Sequence, residues 1–190
     1  MAFYQETDSG LDKSRVATKY STDYSVNHAP GHKGTLGLSY SVHKDSSKKI
    51  FGNLSDNTGS IQAVFLGNGN KTGKAPRYAT IFNIYAPTSP TASNEHMEKY
   101  MTFLDALVDA VDDARATGCA IYIIGDFNVA PDPNMDRNAD TTTDKQKELF
   151  LWLSIVSRLQ MADVFRHRHP DVNAHTFVSH NSQSRIDHVL

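Results

Sequence analysis

Apolar and polar side chains alternate in three stretches of the chain, "TLGLSYSV" (Thr35–Val42), "IQAVFL" (Ile61–Leu66) and "RYATIFNIYA" (Arg77–Ala86). A period of two puts successive side chains on opposite faces of an extended backbone, so each stretch predicts a strand with one face toward a core. "AIYIIGD" (Ala120–Asp126) is apolar until its last two residues, the pattern of a strand covered on both faces. "HTFVS" from His175 and "SRIDHVL" from Ser184, separated by "HNSQ", predict a hairpin.

Two segments repeat at helical spacing instead. In "SNEHMEKYMTFLDALVDAVDDARATG" the stripe is Met97, Met101, Leu104, Val108 and Val111, with Ser93 or Asn94 as cap and Gly118 as terminator. In "DKQKELFLWLSIVSRL" it is Leu149, Trp152, Leu153, Val156 and Leu159. Both stripes predict core faces packed on a sheet. Strands interleaved with helices indicate a layered α/β or α+β sandwich.

Composition narrows the class. The 190 residues, 39% hydrophobic and 21% charged, suit one soluble globular domain spanning 1–190. A formal net charge of −2 gives no global basic field, so any polyanion must be held by a local patch or through metal. The single Cys119 cannot form an internal disulfide, and the N-terminus lacks the apolar core of a signal peptide, which together predict an intracellular location and no membrane span. Gly73-Lys74 is followed by Ala75 where a phosphate-binding loop needs Ser or Thr, which excludes that motif.

Candidate chemistry stands at the ends of the apolar runs: Gln5 and Glu6 in "FYQET", Asn83 and Tyr85 in "IFNIYAP", Asp126 and Asn128 in "IIGDFN", Thr176 in "HTF", and Asp187 in "RID". Residues two apart on a strand share a face, which would set Asn83 beside Tyr85 and Asp126 beside Asn128. Carboxylates and carboxamides without a nearby thiol suit a hard cation, Mg2+ or alternatively Mn2+, and a metal of that kind serves phosphate-ester hydrolysis. Taken singly, each residue has another use: a strand-end Asp caps turns, and Asp187 could pair with Arg185 at the surface.

"YQET", "FNIYAPTS", "IIGDFNVAP" and "SRIDHVL", in this order, resemble the successive motifs of the DNase I-like endonuclease/exonuclease/phosphatase superfamily. "GDFNVAPDPNMDR", "MADVFRHRHPD" and "HTFVSHNSQSRIDHVL" are most similar to the endonuclease domains of non-LTR (LINE-type) retrotransposons and their apurinic-site nuclease relatives. The resemblance implies a four-layer sandwich, two mostly antiparallel sheets flanked by helices. It implies Glu6 and Asp187 as metal ligands, Asp126 as the group that orients or deprotonates the attacking water, Asn128 and Tyr85 at the phosphate, and Asn83 in support. Thr176 and Arg185 are implied at the substrate. The partner implied is DNA, and the location nuclear if the chain derives from a retroelement; the oligomeric state is open, with a monomer as the default. A lipid or nucleotide headgroup phosphatase, or a non-catalytic remnant, are the alternatives.

Members of the superfamily also carry an Asn-bearing strand before "QET" and an "SDH" motif whose His contacts phosphate. Neither stands in these 190 residues. His188 occupies the fourth position of "RIDH", and "RHRHP" reads as a polar turn. The expectation is therefore a sandwich incomplete at its terminal strands, with weak or no activity.

Overall fold

A computed structural model describes residues 2–7, 24–29, 37–43, 50–56, 58–67, 77–132, 134–138, 144–179 and 182–190. Thr35, the Gly73-Lys74 loop and His180-Asn181 of the hairpin tip lie outside them. The elements are β1 (Ala2–Thr7), β2 (Tyr24–Ala29), β3 (Gly37–His43), β4 (Ile50–Ser55), β5 (Ile61–Gly67), β6 (Arg77–Tyr85), α1 (Asn94–Arg115), β7 (Ala120–Asp126), α2 (Lys145–Leu159), α3 (Val164–Arg168), β8 (Phe177–Val178), β9 (Gln183–Ser184) and β10 (Asp187–Val189). They divide between two compact units, one of Met1–Tyr85 and Asp112–Gly125, the other of Ala86–Val111 and Asp126–Leu190.

In the first unit, β1 and β2 flank β3 in an antiparallel sheet, and a second run of strands follows the order β7-β6-β5-β4. β1 and β3 approach β5 and β6, which makes this unit a two-sheet sandwich. Its polar register is informative. Gln62 on β5 pairs across from Asn83 on β6, and both are wholly buried. Hence β5, which alternates in sequence, is covered on both faces, its polar position turned toward another amide instead of water. The reverse holds for β7. Its apolar run predicted two covered faces, yet Tyr122 is 48% exposed and Ala120 is exposed, while Ile123 and Gly125 are buried. A phenol tolerates that half-open face because its hydroxyl stays hydrated.

Gly125 is where β7 comes closest to β6. Its φ is +143°, and a Cβ added there would lie 2.1 Å from the Ile84 carbonyl oxygen, far inside van der Waals contact. Only glycine fits.

β2 and β4 have no counterpart among the predicted strands. "YSVNHA" alternates only over Tyr24 and Val26 before turning polar, and "IFGNLS" is interrupted by Gly52 and Asn53, so neither sustains the period-two signal.

The second unit carries most of α1, all of α2 and α3, and the short β8–β9 hairpin and β10. Ser93 caps α1, its hydroxyl accepting the His96 N–H. Gly118, at φ +73°, follows the helix end at Arg115. The buried face of α1 is Tyr100, Phe103, Leu104, Leu107 and Val111, turned from the expected stripe, whose Met97, Met101 and Val108 are half-buried. α2 buries Glu148, Leu151, Trp152, Ile155 and Leu159, while Leu149 and Leu153, expected inside, are exposed. The shift has one cause. Glu148 enters the core because Arg137 meets it at 2.7 Å, and a periodicity count that treats every Glu as outward picks the neighbouring register. Among the described residues no helix is long and apolar enough to cross a membrane.

Candidate active site

β7 delivers Asp126, and the chain then turns. The Asp126 carboxylate accepts the Asn128 backbone N–H at 2.7 Å, and Asn128 sits at φ +52°, left-handed geometry that asparagine tolerates better than most residues. Asp126 and Asn128 are thus brought together by a turn and a hydrogen bond, not by alternation along a strand. The turn is latched to the segment after Tyr85. Asn128 Nδ2 donates to the Ala86 carbonyl at 2.8 Å, and the Ala86 N–H donates to the Asp126 carbonyl at 2.8 Å.

Phe127, between the two polar residues, is the anchor. Its ring is buried and meets Trp152 edge-on at 5.7 Å and His188 at 5.5 Å between centroids. Its N–H donates to the Ile186 carbonyl at 2.8 Å, and its carbonyl accepts the Tyr100 hydroxyl at 2.8 Å. Burial pushes the Tyr100 phenol well above its ordinary range, and the Asp126 charge adds to that, so Tyr100 remains a donor. Burying one aromatic here fixes the backbone on which both polar side chains stand.

Asp187 reaches the same unit from the other side of the sequence. The Thr176 hydroxyl oxygen accepts the N–H groups of Ile186 at 3.2 Å and Asp187 at 3.1 Å, and the Thr176 N–H donates to Ser184. Thr176 therefore shapes the backbone that carries Asp187. The half-buried Asp187 carboxylate has no hydrogen bond among the described residues.

Three expected residues lie in the first unit. Asn83 and Tyr85 share a face of β6; Asn83 is buried, its Nδ2 3.5 Å from Gln62 Oε1, and Tyr85 is half-buried with its N–H on the Ser60 carbonyl. Glu6 lies in β1, within a register shift between Tyr4 and Thr7.

Arg185 was expected at the substrate, and the structure corrects this. It is 2% exposed. Its guanidinium grips Asp136 through Nε at 2.8 Å and Nη2 at 3.1 Å, stands 2.8 Å from Asp163, and donates through Nη1 to His188 Nδ1 at 2.9 Å. Arg166 pairs with Asp136 at 2.5 Å, and its other nitrogen donates to the carbonyls of His169, Pro170 and Val172. "RHRHP" is therefore an internally clamped segment that starts inside the short helix capped by Asp163. Two arginines against two aspartates leave the buried cluster electrically balanced, the condition under which buried charge is tolerated.

Burial pushes the Asp163 carboxyl up, but the Arg185 guanidinium and the Arg166 backbone N–H outweigh that and hold it well below the usual carboxylate range. A depressed carboxyl stabilises the fold above its unfolded value, about 3.9, and loses that contribution as pH falls toward the folded value. Acid titration followed by circular dichroism is expected to show unfolding that sets in below about pH 4, and Asp163→Asn should remove that component. Glu148 has the opposite sign: burial raises it despite Arg137, so its contribution is present at acid pH and lost as pH rises.

The network's Asp136, Asp163 and Tyr100 were not among the expected site residues. The only hint of Asp136 was its place in "NMDR". The donors around Asp126, Asn128 and Asp187 are oxygens and amides, which fits a hard cation in kind, since magnesium needs only one or two protein carboxylates and keeps its waters. Among the described residues, no group of three or more His, Cys, Asp or Glu converges.

Taken together, these elements define a DNase I-like fold. An AP endonuclease from Leishmania major superposes with a TM-score of 0.75 at 17% identity, over 98% of this chain and 68% of that one. A 3′ phosphatase from Neisseria, NExo, bound to a product DNA hairpin, gives 0.68 at 16%, over 98% and 74%. The endonuclease domain of TRAS1, a telomere-specific non-LTR retrotransposon, is a weaker match, 0.51 at 12%, over 90% and 66%. Residues 4–190 match the Endonuclease/Exonuclease/phosphatase family, and the chain belongs to it.

Proposed function

We propose that this chain hydrolyses phosphodiesters in DNA with magnesium, as an endonuclease of the retroelement type. The observation that carries the reading is the Asp126–Asn128 turn, joined through the Phe127 N–H to the strand that presents Asp187. Asp126 orients and deprotonates the attacking water. Asn128 has a second amide N–H beyond the one on Ala86 for a phosphate oxygen. Asp187 is a carboxylate for the metal, which when bound would offset charge on the phosphoryl and leaving oxygens. The names of the AP endonuclease and of the DNA-bound phosphatase support DNA as substrate; the motif run from Gly125 to Arg137 supports the retroelement type.

A supercoiled-plasmid nicking assay tests this. Nicking is expected in magnesium or manganese, none in EDTA, and recovery when metal is restored in excess. Cleavage that is indifferent to EDTA, or hydrolysis of inositol phosphates with no action on duplex DNA, would overturn the proposal.

A further inference from the structure

We infer that His188 and Arg185 are positioning residues that set Asp187 against the Asp126–Asn128 turn. This rests on the hydrolytic reading, because it assigns a means of alignment to that same site.

The two side chains bracket Ile186-Asp187 and both are buried. His188 Nε2 lies 2.9 Å from the Val129 carbonyl, one residue beyond Asn128, and the Phe127 N–H holds the Ile186 carbonyl at 2.8 Å. Residues 127–129 are thus fastened to 186–188 at two points. A third point is farther along: the Arg185 N–H donates to the Asp136 carbonyl at 2.8 Å while its guanidinium forks onto the Asp136 carboxylate. The loop from Asp126 to Asp136 is pinned near one end by His188 and at the other by Arg185.

The histidine's role is specific. An arginine can only donate, so His188 Nδ1 accepts from Arg185, and Nε2 carries the hydrogen that reaches Val129. One ring therefore relays the arginine's position to the backbone beside Asn128. Its faces are filled by Trp152, at 4.5 Å between centroids, and Phe127, which hold the ring's plane. A phenyl ring would keep that packing and lose both hydrogen bonds. A glutamine side chain would keep an acceptor for Arg185 and a donor for Val129.

His188→Phe and His188→Gln separate alignment from packing. In single-turnover cleavage of a magnesium-loaded duplex, His188→Phe is expected to lower the cleavage rate roughly ten- to hundredfold with half-saturating DNA unchanged, the size of effect that a small misplacement produces. His188→Gln should restore the rate to within about threefold of wild type. The second readout needs no activity: by NMR, the Asn128 amide, bonded to the Asp126 carboxylate, should exchange faster in His188→Phe and regain protection in His188→Gln. Equal rates in the two variants, or an Asn128 amide as protected in His188→Phe as in wild type, would overturn the inference. If His188→Phe does not fold, His188→Asn, too short to reach both partners, takes its place in both measurements. A wild type that never cleaves would refute the hydrolytic reading alone, and the amide exchange would still decide the alignment.

Discussion

Replacing Arg185 with methionine is expected to cost about 3–5 kcal/mol of stability, because it leaves Asp136 and Asp163 buried with their shared countercharge removed. The urea midpoint should fall accordingly, with the slope unchanged. Arg166 still meets Asp136, so Asp163 bears most of the loss, and pairing the change with Asp163→Asn should recover a substantial part of it. The exposed Lys99–Glu95 pair, at 2.7 Å on α1, is the contrast: Lys99→Met should leave the urea midpoint little changed, since solvent screens such pairs and the side chains must be ordered to make them. Similar distances, different surroundings; burial decides which ion pair matters. A midpoint for Arg185→Met within error of wild type would show that the cluster is not buried as described.

Asp126→Asn is the second large effect, and it should be confined to chemistry. The amide keeps an oxygen where Asp126 Oδ1 accepts the Asn128 N–H, so the turn and the thermal midpoint should be little changed. What disappears is the group that, on the proposed function, orients and accepts a proton from water. Cleavage is expected to fall by about 10²–10⁴ with DNA affinity retained. A drop in duplex binding of the same size would mean that Asp126 serves binding instead. Asp187→Asn, by comparison, should shift the magnesium dependence as well as the rate.

The outline of the fold was legible in the sequence because it follows from hydrophobic period. β5, β6, β7, α1 and α2 all stand where alternation or helical spacing predicted them; the hairpin's first strand lies within "HTFVS" as predicted, but its second, β9, takes Gln183 from the expected turn, and "SRIDHVL" divides between β9 and β10 after Ser184. What period cannot carry is a charge that has been taken inside. Glu148 rotated the apparent face of α2, and Arg185 looked like a surface group beside Asp187 because its partners Asp136 and Asp163 lie 49 and 22 positions away along the chain. Phe127 shows the same limit. Its place between Asp126 and Asn128 was evident, but its function as an anchor depends on Trp152 and His188, which only the folded chain brings to it.

Trp152 is the only tryptophan in the sequence, and it lies against the imidazole that spans Arg185 and Val129. The protein's tryptophan fluorescence therefore originates against the imidazole that aligns Asp187 with Asn128. Emission wavelength and quenching become a local optical record of that alignment, readable in the intact chain without a label.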